Sequence, residues 1–283
     1  MTEVPRNTVF PENSMLQPAT RASVITKALD ELQRMEPRRG HTTALDERRL
    51  LRALTSMDDS PESEVAKAAI KAQWDRNFAE FDATATALLD MYGLSEPGTL
   101  YVNFALICHN ALNPALGSQL NRKAFQFNQN NPEFIQHVTR NAWHAGDIDL
   151  YAQAVERLKK LGAESYVELR GPHEESTRLL ADCGVTHDEF QSYTQLICEL
   201  VRGFLSQRPD IRLGYGIELE DFDDGHQELV LQFDLALDDD TLDAIDAAVL
   251  ELLSDTSRVR PALNKCVGVL VRDYPQSLDA EAC

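Results

Sequence analysis

Between Ile217 and Asp246 the chain has no lysine and no arginine. The stretch reads IELEDFDDGHQELVLQFDLALDDDTLDAID and carries twelve Asp and Glu. Without cations it cannot displace counterions from a phosphate backbone, so direct nucleic-acid binding through it is excluded, and anionic membranes are disfavoured for the same reason. Other absences narrow the reading further. There is no C-x-x-C pair, and the five cysteines (Cys108, Cys183, Cys198, Cys266, Cys283) are odd in number and scattered. Neither a disulfide framework nor a zinc ribbon is indicated, and a reducing, cytoplasmic setting fits. No apolar run reaches the roughly 18 residues that span a bilayer. The opening residues lack the apolar core and cleavage site of a secretory signal. No G-x-S-x-G, Walker-type loop, G-x-G-x-x-G, H-E-x-x-H or kinase signature occurs, so none of those catalytic classes is marked.

What is present is enough for a core: 283 residues, 43% of them hydrophobic. That excludes a disordered chain and allows one large or two ordinary domains. Charge is uneven. Residues 161–283 hold nine Lys/Arg against twenty-six Asp/Glu, which is −17 of the total −19. Residues 1–56 and 101–160 are each slightly basic.

The first eighteen residues hold three prolines and little periodicity and read as an extended arm. From Ala22 the apolar positions fall at helical spacing: Val24, Ile25, Ala28, Leu29, Leu32, Met35. Thr43 is placed to cap a second helix. Ser60 and Pro61 open a third, predicted as one long helix through Trp74, Phe78, Phe81, Leu88 and Leu89 to a stop at Gly93. TLYVNFALICHNALNPALG is read as a buried helix by its length. Asn131-Pro132 starts a helix through His144. Asp147 caps another through Leu161, ended by Gly162. That pair resembles one unit of a repeat protein, but no second copy recurs at a fixed period, so two neighbours in an ordinary bundle are expected. SYVELRGP reads as a short strand and linker. Helix resumes over 174–182, and Thr186 with Glu189 forms a capping box for the next.

Two alternating runs then follow, Leu213/Tyr215/Ile217/Leu219 and Leu229/Leu231/Phe233/Leu235, joined by EDFDDGHQE with Asp224-Gly225 as the turn signal. A helix carrying Leu242, Ile245, Val249 and Leu252 and a last strand around Val267, Val269 and Val271 complete the pattern. The predicted fold is mainly α with a C-terminal α+β unit: an N-terminal helical bundle, then an α-β-β-α-β domain with a small, largely antiparallel sheet. The expected organisation is an arm (1–18), a helical domain (19–165), an acidic α+β domain (174–275) and a tail (276–283).

Most of the acids have local reasons. Glu218 and Glu220 alternate with Ile217 and Leu219 and should face water. Asp221, Asp223 and Asp224 suit a turn. Asp238, Asp239 and Asp240 sit at a helix start, where free N–H groups stabilise negative charge. A calcium loop fails on register, because taking Gly225 as the loop glycine puts Phe222 and Leu231 at positions that need oxygen. TRLLADCGVTHDEFQSYTQLI has the outline of a helix-turn-helix, but its second helix begins HDEFQSY and offers no cation to DNA. His137 and His144 share a helix face seven apart, with His109 or His173 as a possible third ligand, yet nothing places them together. Cys108 and His109 are adjacent, which points them in different directions and suits core packing more than a nucleophile with its base. NRKAFQFNQNNPEF sets Phe125 and Phe127 among amides, a composition that suits a protein interface.

The expectation is therefore a non-catalytic protein–protein interaction protein, such as an adaptor, assembly factor or inhibitor, with no cofactor and no metal. It would meet a basic partner surface through Glu218, Glu220, Asp221, Asp223 and Asp224, with Phe125 and Phe127 as further contacts and a homo-oligomer allowed. The alternatives are a nucleic-acid-mimicking inhibitor of a nucleic-acid-binding enzyme, and an enzyme with a pocket built from His109, His137, His144 or Cys108.

Overall fold

Several helices start where small oxygen-bearing side chains take the first free N–H groups. The computed structural model describes residues 24–94, 96–222 and 226–275. The expected arm, the tail and the turn residues Asp223, Asp224 and Gly225 lie outside them. α1 (Val24–Met35) packs on α2 (Ala44–Thr55), which opens with a capping box between Thr43 and Asp46. Ser60 caps α3 (Pro61–Trp74), and Asn77 caps α4 (Phe78–Asp90). α5 (Pro97–Asn110) is followed by α6 (Pro114–Phe125), capped by Asn113. Asn131 caps α7 (Pro132–His144), and Asp147 caps α8 (Ile148–Lys160). α9 (Tyr166–Asp182) leads to α10 (His187–Leu205), whose Thr186–Glu189 capping box is present as predicted. β1 (Leu213–Asp221), β2 (Gln227–Leu235), α11 (Asp239–Ser254) and β3 (Val267–Asp273) close the chain. The protein is mainly α with a C-terminal α+β unit.

Three stretches differ from the sequence expectation, each for a local reason. The long helix over 61–92 is two helices, because Arg76 takes a left-handed φ of 51° and Asn77 then caps a new start. The buried helix over 99–117 is likewise split by Leu112 at φ 49°. SYVELRGP is neither strand nor linker: it is the first half of α9, and Pro172 sits inside that helix. Leu169, Pro172, Ser176 and Leu180 form one buried helical face, and burial of that face outweighs the backbone hydrogen bond that proline cannot make.

A common turn joins the helix pairs α3–α4, α5–α6 and α7–α8. One left-handed residue (Arg76, Leu112, Gly146) precedes an Asx cap. The cap N–H reaches back to the preceding helix, Asn77 to the Ala72 carbonyl, Asn113 to Cys108 and Asp147 to Ala142. α9–α10 turns at Gly184 (φ 67°), with one more residue before its cap. The turn residues recur 36, 34 and 38 positions apart. A helical-hairpin repeat is thus present in the backbone, although the residue at the left-handed position differs in type.

The sheet has the order β1-β2-β3, with β1 antiparallel and β3 parallel to β2. It is therefore mixed. The antiparallel half is the predicted hairpin, and the parallel half comes from the α11 crossover. α5 and α7 pack against β1, α9 against β2 and α11 against β3. Tyr215, Ile217, Leu229, Leu231, Phe233, Leu235 and Val267 join the helices in one apolar cluster running from Ile25 to Val267. The other sheet face carries Gly214, Gly216, Glu218, Glu220, Glu228, Val230, Gln232, Asp234, Gly268, Leu270 and Arg272.

Two buried guanidinium groups tie the helices to the strand entry. Arg39 donates to both Glu36 carboxylate oxygens (2.6 and 2.9 Å) and to the carbonyls of Gln73, Trp74 and Pro209, and its guanidinium stacks 4.5 Å from the Trp74 ring centroid. Arg76 donates to the Ile211 carbonyl at 2.9 Å and lies 3.9 Å from Glu36. Burial alone would push the Glu36 carboxyl up, but the charge and hydrogen bonds of Arg39, with help from Arg76 and Gln73, hold it below the usual carboxylate range.

Candidate functional site

The acids of the β-hairpin gather on the sheet face turned away from the helices. Strand alternation puts Glu218 and Glu220 there, both half-buried, while Asp221 is exposed at the strand end. Glu228 on β2 stands directly opposite Glu220, and Glu218 faces Val230 one step further in. Like charges directly opposed across strands destabilise a sheet. Glu228 is held from two sides: His226 Nε2 lies 2.8 Å from Oε1, and Oε2 lies over Gly268, where a Cβ would come within 2.9 Å. Phe222, beside Asp221, is exposed and its ring stacks with His226 at 6.1 Å. Asp238, further along the stretch, caps α11: its carboxylate accepts from the Thr241 hydroxyl at 2.8 Å and the Thr241 N–H at 2.9 Å, and those hydrogen bonds hold it below the ordinary range.

Sequence reading missed Glu228 as part of this face. Its alternation with Leu229 and Leu231 carried the signal, since a residue flanked by inward positions must point outward.

The second aromatic contact site divides. Phe127 is exposed and packs at 5.9 Å on Tyr101, whereas Phe125 is half-buried against the core. Phe125 is held inward because it is the last residue of α6, whose buried face continues from Leu120 and Ala124.

The histidine and cysteine residues meet inside the protein. His109 lies in the last turn of α5 and His144 ends α7, and those helices bring the rings to 5.4 Å. Tyr215 donates its hydroxyl to the His144 carbonyl at 3.0 Å, and its ring lies 6.5 Å from that of His144. Both His109 ring nitrogens and His144 Nδ1 are buried without a hydrogen-bond partner. Gly117 of α6 closes over the site, where a Cβ would stand 3.5 Å from His109 Cε1 and 3.2 Å from Cys108 Cβ. Burial, reinforced by Arg140, pushes His144 down to about 4; burial and the His144 ring hold His109 well below the ordinary imidazole value. Burial pushes the Cys108 thiol far up and Cys198 up to about 12. Burial favours neutral imidazoles and protonated thiols in this cluster. His137 is elsewhere on α7, among Arg140 and Glu133, and His173 stacks at 5.7 Å on Tyr151.

Among the described residues no group of three or more His, Cys, Asp or Glu side chains is arranged to hold a metal ion, and no helix is long and apolar enough to cross a membrane. The outline of a helix-turn-helix at α9–α10 is a core corner. Phe190, Tyr193 and Ile197 are buried, and the first turn of α10 is tied to Asp149 through His187 (2.6 Å) and to Arg260 through Glu189 (2.5 Å). No protein-family model, curated protein or solved structure matches the chain.

Proposed function

We propose that this is a non-catalytic interaction protein, an adaptor, assembly factor or inhibitor, that meets a basic partner surface with the acidic face of its sheet. The observation that carries the reading is the direct opposition of Glu220 and Glu228, with Glu218 on the same face and Asp221 exposed at the end of the strand. A sheet built for stability alone gains from opposite charges or neutral pairs at such positions. A cationic partner would relieve the repulsion on binding. The gain falls mainly on association rate and specificity and weakens with salt. Asp223 and Asp224, between β1 and β2 in the sequence, extend the charge by sequence. The chemistry of the buried His109–His144 cluster favours this reading over a His/Cys enzyme, and among the described residues Cys108, Cys183, Cys198 and Cys266 are free thiols, which suits a reducing, cytoplasmic setting.

The test is affinity capture from native extract at low and high salt, comparing wild type with a variant carrying Glu218→Lys, Glu220→Lys and Asp221→Lys. A stoichiometric protein captured by wild type at low salt, and lost both at high salt and with the variant, is the expected result. Equal capture by both proteins would sink the assignment. If nucleic acid displaces the captured protein, the nucleic-acid-mimic reading takes its place.

A further inference from the structure

The two edges of the sheet are treated differently. In the β1–β2 ladder the even-numbered β1 residues bond inward: the Ala236 N–H reaches the Arg212 carbonyl, and the Phe222 N–H reaches His226. The odd-numbered residues therefore direct their backbone groups outward. One of these is Ile217, whose carbonyl accepts from the Trp143 indole N–H at 2.6 Å, with α5 and α7 packed alongside the strand. The β1 edge is thus engaged by the helices at Ile217. At β3 the even-numbered residues again bond to β2, as the Leu229 N–H to Cys266 carbonyl and Tyr274 N–H to Leu235 carbonyl bonds fix. Val267, Val269, Val271 and Asp273 direct their N–H and C=O groups outward, and among the described residues no strand pairs with them. The strand reads VGVLVRD, is rich in β-branched residues, and carries an exposed Leu270. Such an edge is a template for another strand.

We propose that a second copy of this chain pairs with that edge, β3 to β3 and antiparallel, on a two-fold axis through Leu270. Three features of the strand select this occupant. Parity is the first. Centring the axis on Leu270 sets Val269 opposite Val271 of the second copy and Val267 opposite Asp273, so every outward-facing residue meets another and all their backbone groups are satisfied. The second is charge. The same register sets Arg272 opposite Gly268, the position over which Glu228 Oε2 lies. Each copy thereby presents a guanidinium, itself held at 2.6 Å by Asp234, to the glutamate of the other. The third is side-chain fit: Leu270 meets Leu270, and Val269 meets Val271, cross-strand pairs that stabilise antiparallel sheets. The result is one six-stranded sheet with its helices on a single side. It leaves Glu218, Glu220 and Asp221 near its two outer ends, and it does not depend on what those acids bind.

The full-length chain is examined by sedimentation over a concentration series, together with Leu270→Cys in a Cys183→Ser, Cys283→Ser background under mild oxidation. At a non-hydrogen-bonded antiparallel pair the Cα atoms lie about 4.5 Å apart, within the disulfide range of about 4.4–6.8 Å. A wild-type dimer and a covalent dimer through Cys at position 270 are expected. Val269→Pro removes an outward N–H and replaces a valine partly packed on the core; it should give a monomer, with unchanged helical circular dichroism checking that it is still folded. Glu228→Arg should weaken the dimer roughly tenfold by setting like charges together. A wild-type monomer would overturn the proposal. So would a dimer that fails to cross-link at position 270.

Discussion

Arg39 holds Glu36 through two parallel hydrogen bonds, Nε–H to Oε2 at 2.6 Å and Nη2–H to Oε1 at 2.9 Å, with the guanidinium wholly inside the protein. The same guanidinium satisfies the carbonyls of Trp74 at the end of α3 and Pro209 before β1. It joins three segments far apart in sequence. Arg39→Ala leaves Glu36 with Arg76 at 3.9 Å as its remaining ion-pair partner and exposes several carbonyls to an apolar interior. The expected loss is about 3–5 kcal/mol, read as a lower urea midpoint. Arg39→Lys should recover little of it, because an ammonium cannot repeat the planar fork. Full recovery by lysine would mean the charge alone matters.

The His109–His144 pair makes stability depend on pH in a defined window. Both imidazoles are neutral in the folded protein, with His144 pushed down to about 4 by burial and the nearby Arg140 cation. In the unfolded chain they protonate near pH 6.5. The unfolded state therefore binds more protons as pH falls, and stability drops from about pH 6.5 toward pH 4, levelling off below the folded value. For His144 the full loss is on the order of 3 kcal/mol. Paired carboxylates act lower: Asp46, held at about 2 by the Thr43 hydrogen bonds and Arg34, loses its contribution only as pH falls from 3.8 through 2. Urea titrations between pH 7.5 and 4.5 should show a slope that a His109→Gln, His144→Gln variant loses. An unchanged slope would place the acid sensitivity elsewhere, with His137 or His173, whose imidazoles are also lowered.

Much of this architecture was legible in side-chain chemistry, and the parts that were not share a cause. Caps at Thr43, Ser60, Asn131, Asp147 and Thr186 are short-range signals, and the helices began there. The two strands of the hairpin were legible as alternating runs on either side of the Asp224-Gly225 signal. The breaks at Arg76 and Leu112 were hidden because left-handed backbone is read from glycine or asparagine, and here a buried arginine and a buried leucine adopt it under tertiary constraint. That concealment also hid the hairpin repeat. The opposition of Glu220 and Glu228 and the meeting of His109 with His144 depend on strand register and helix packing, which no local pattern encodes.

The acidic face should trade stability against capture. Glu220→Lys replaces a like-charge pair with an attractive one opposite Glu228. It should raise stability by about 0.2–1 kcal/mol while weakening capture of a basic partner. The two readouts, urea midpoint and salt-dependent capture, are independent. Higher stability with undiminished capture would remove Glu220 from the interface. Lower stability would mean the carboxylate has a structural role on this face.

Two glycines at the same backbone angle separate the cost of left-handed geometry from the cost of contact. Gly146 and Gly162 both stand at φ 65°. A Cβ at Gly162 meets nothing within 4 Å, whereas at Gly146 it would stand 2.9 Å from Thr194 Oγ1 and 3.3 Å from Phe190 Cε1 on α10. Gly162→Ala should cost about 1–2 kcal/mol, the penalty of the conformation itself. Gly146→Ala should cost about 1–3 kcal/mol more, because α10 must shift or Thr194 must give up its hydrogen bond to the Phe190 carbonyl. Equal costs would show that α10 yields freely, and the α7–α8 turn would then not be what fixes the helix against which α6, α8 and α11 pack.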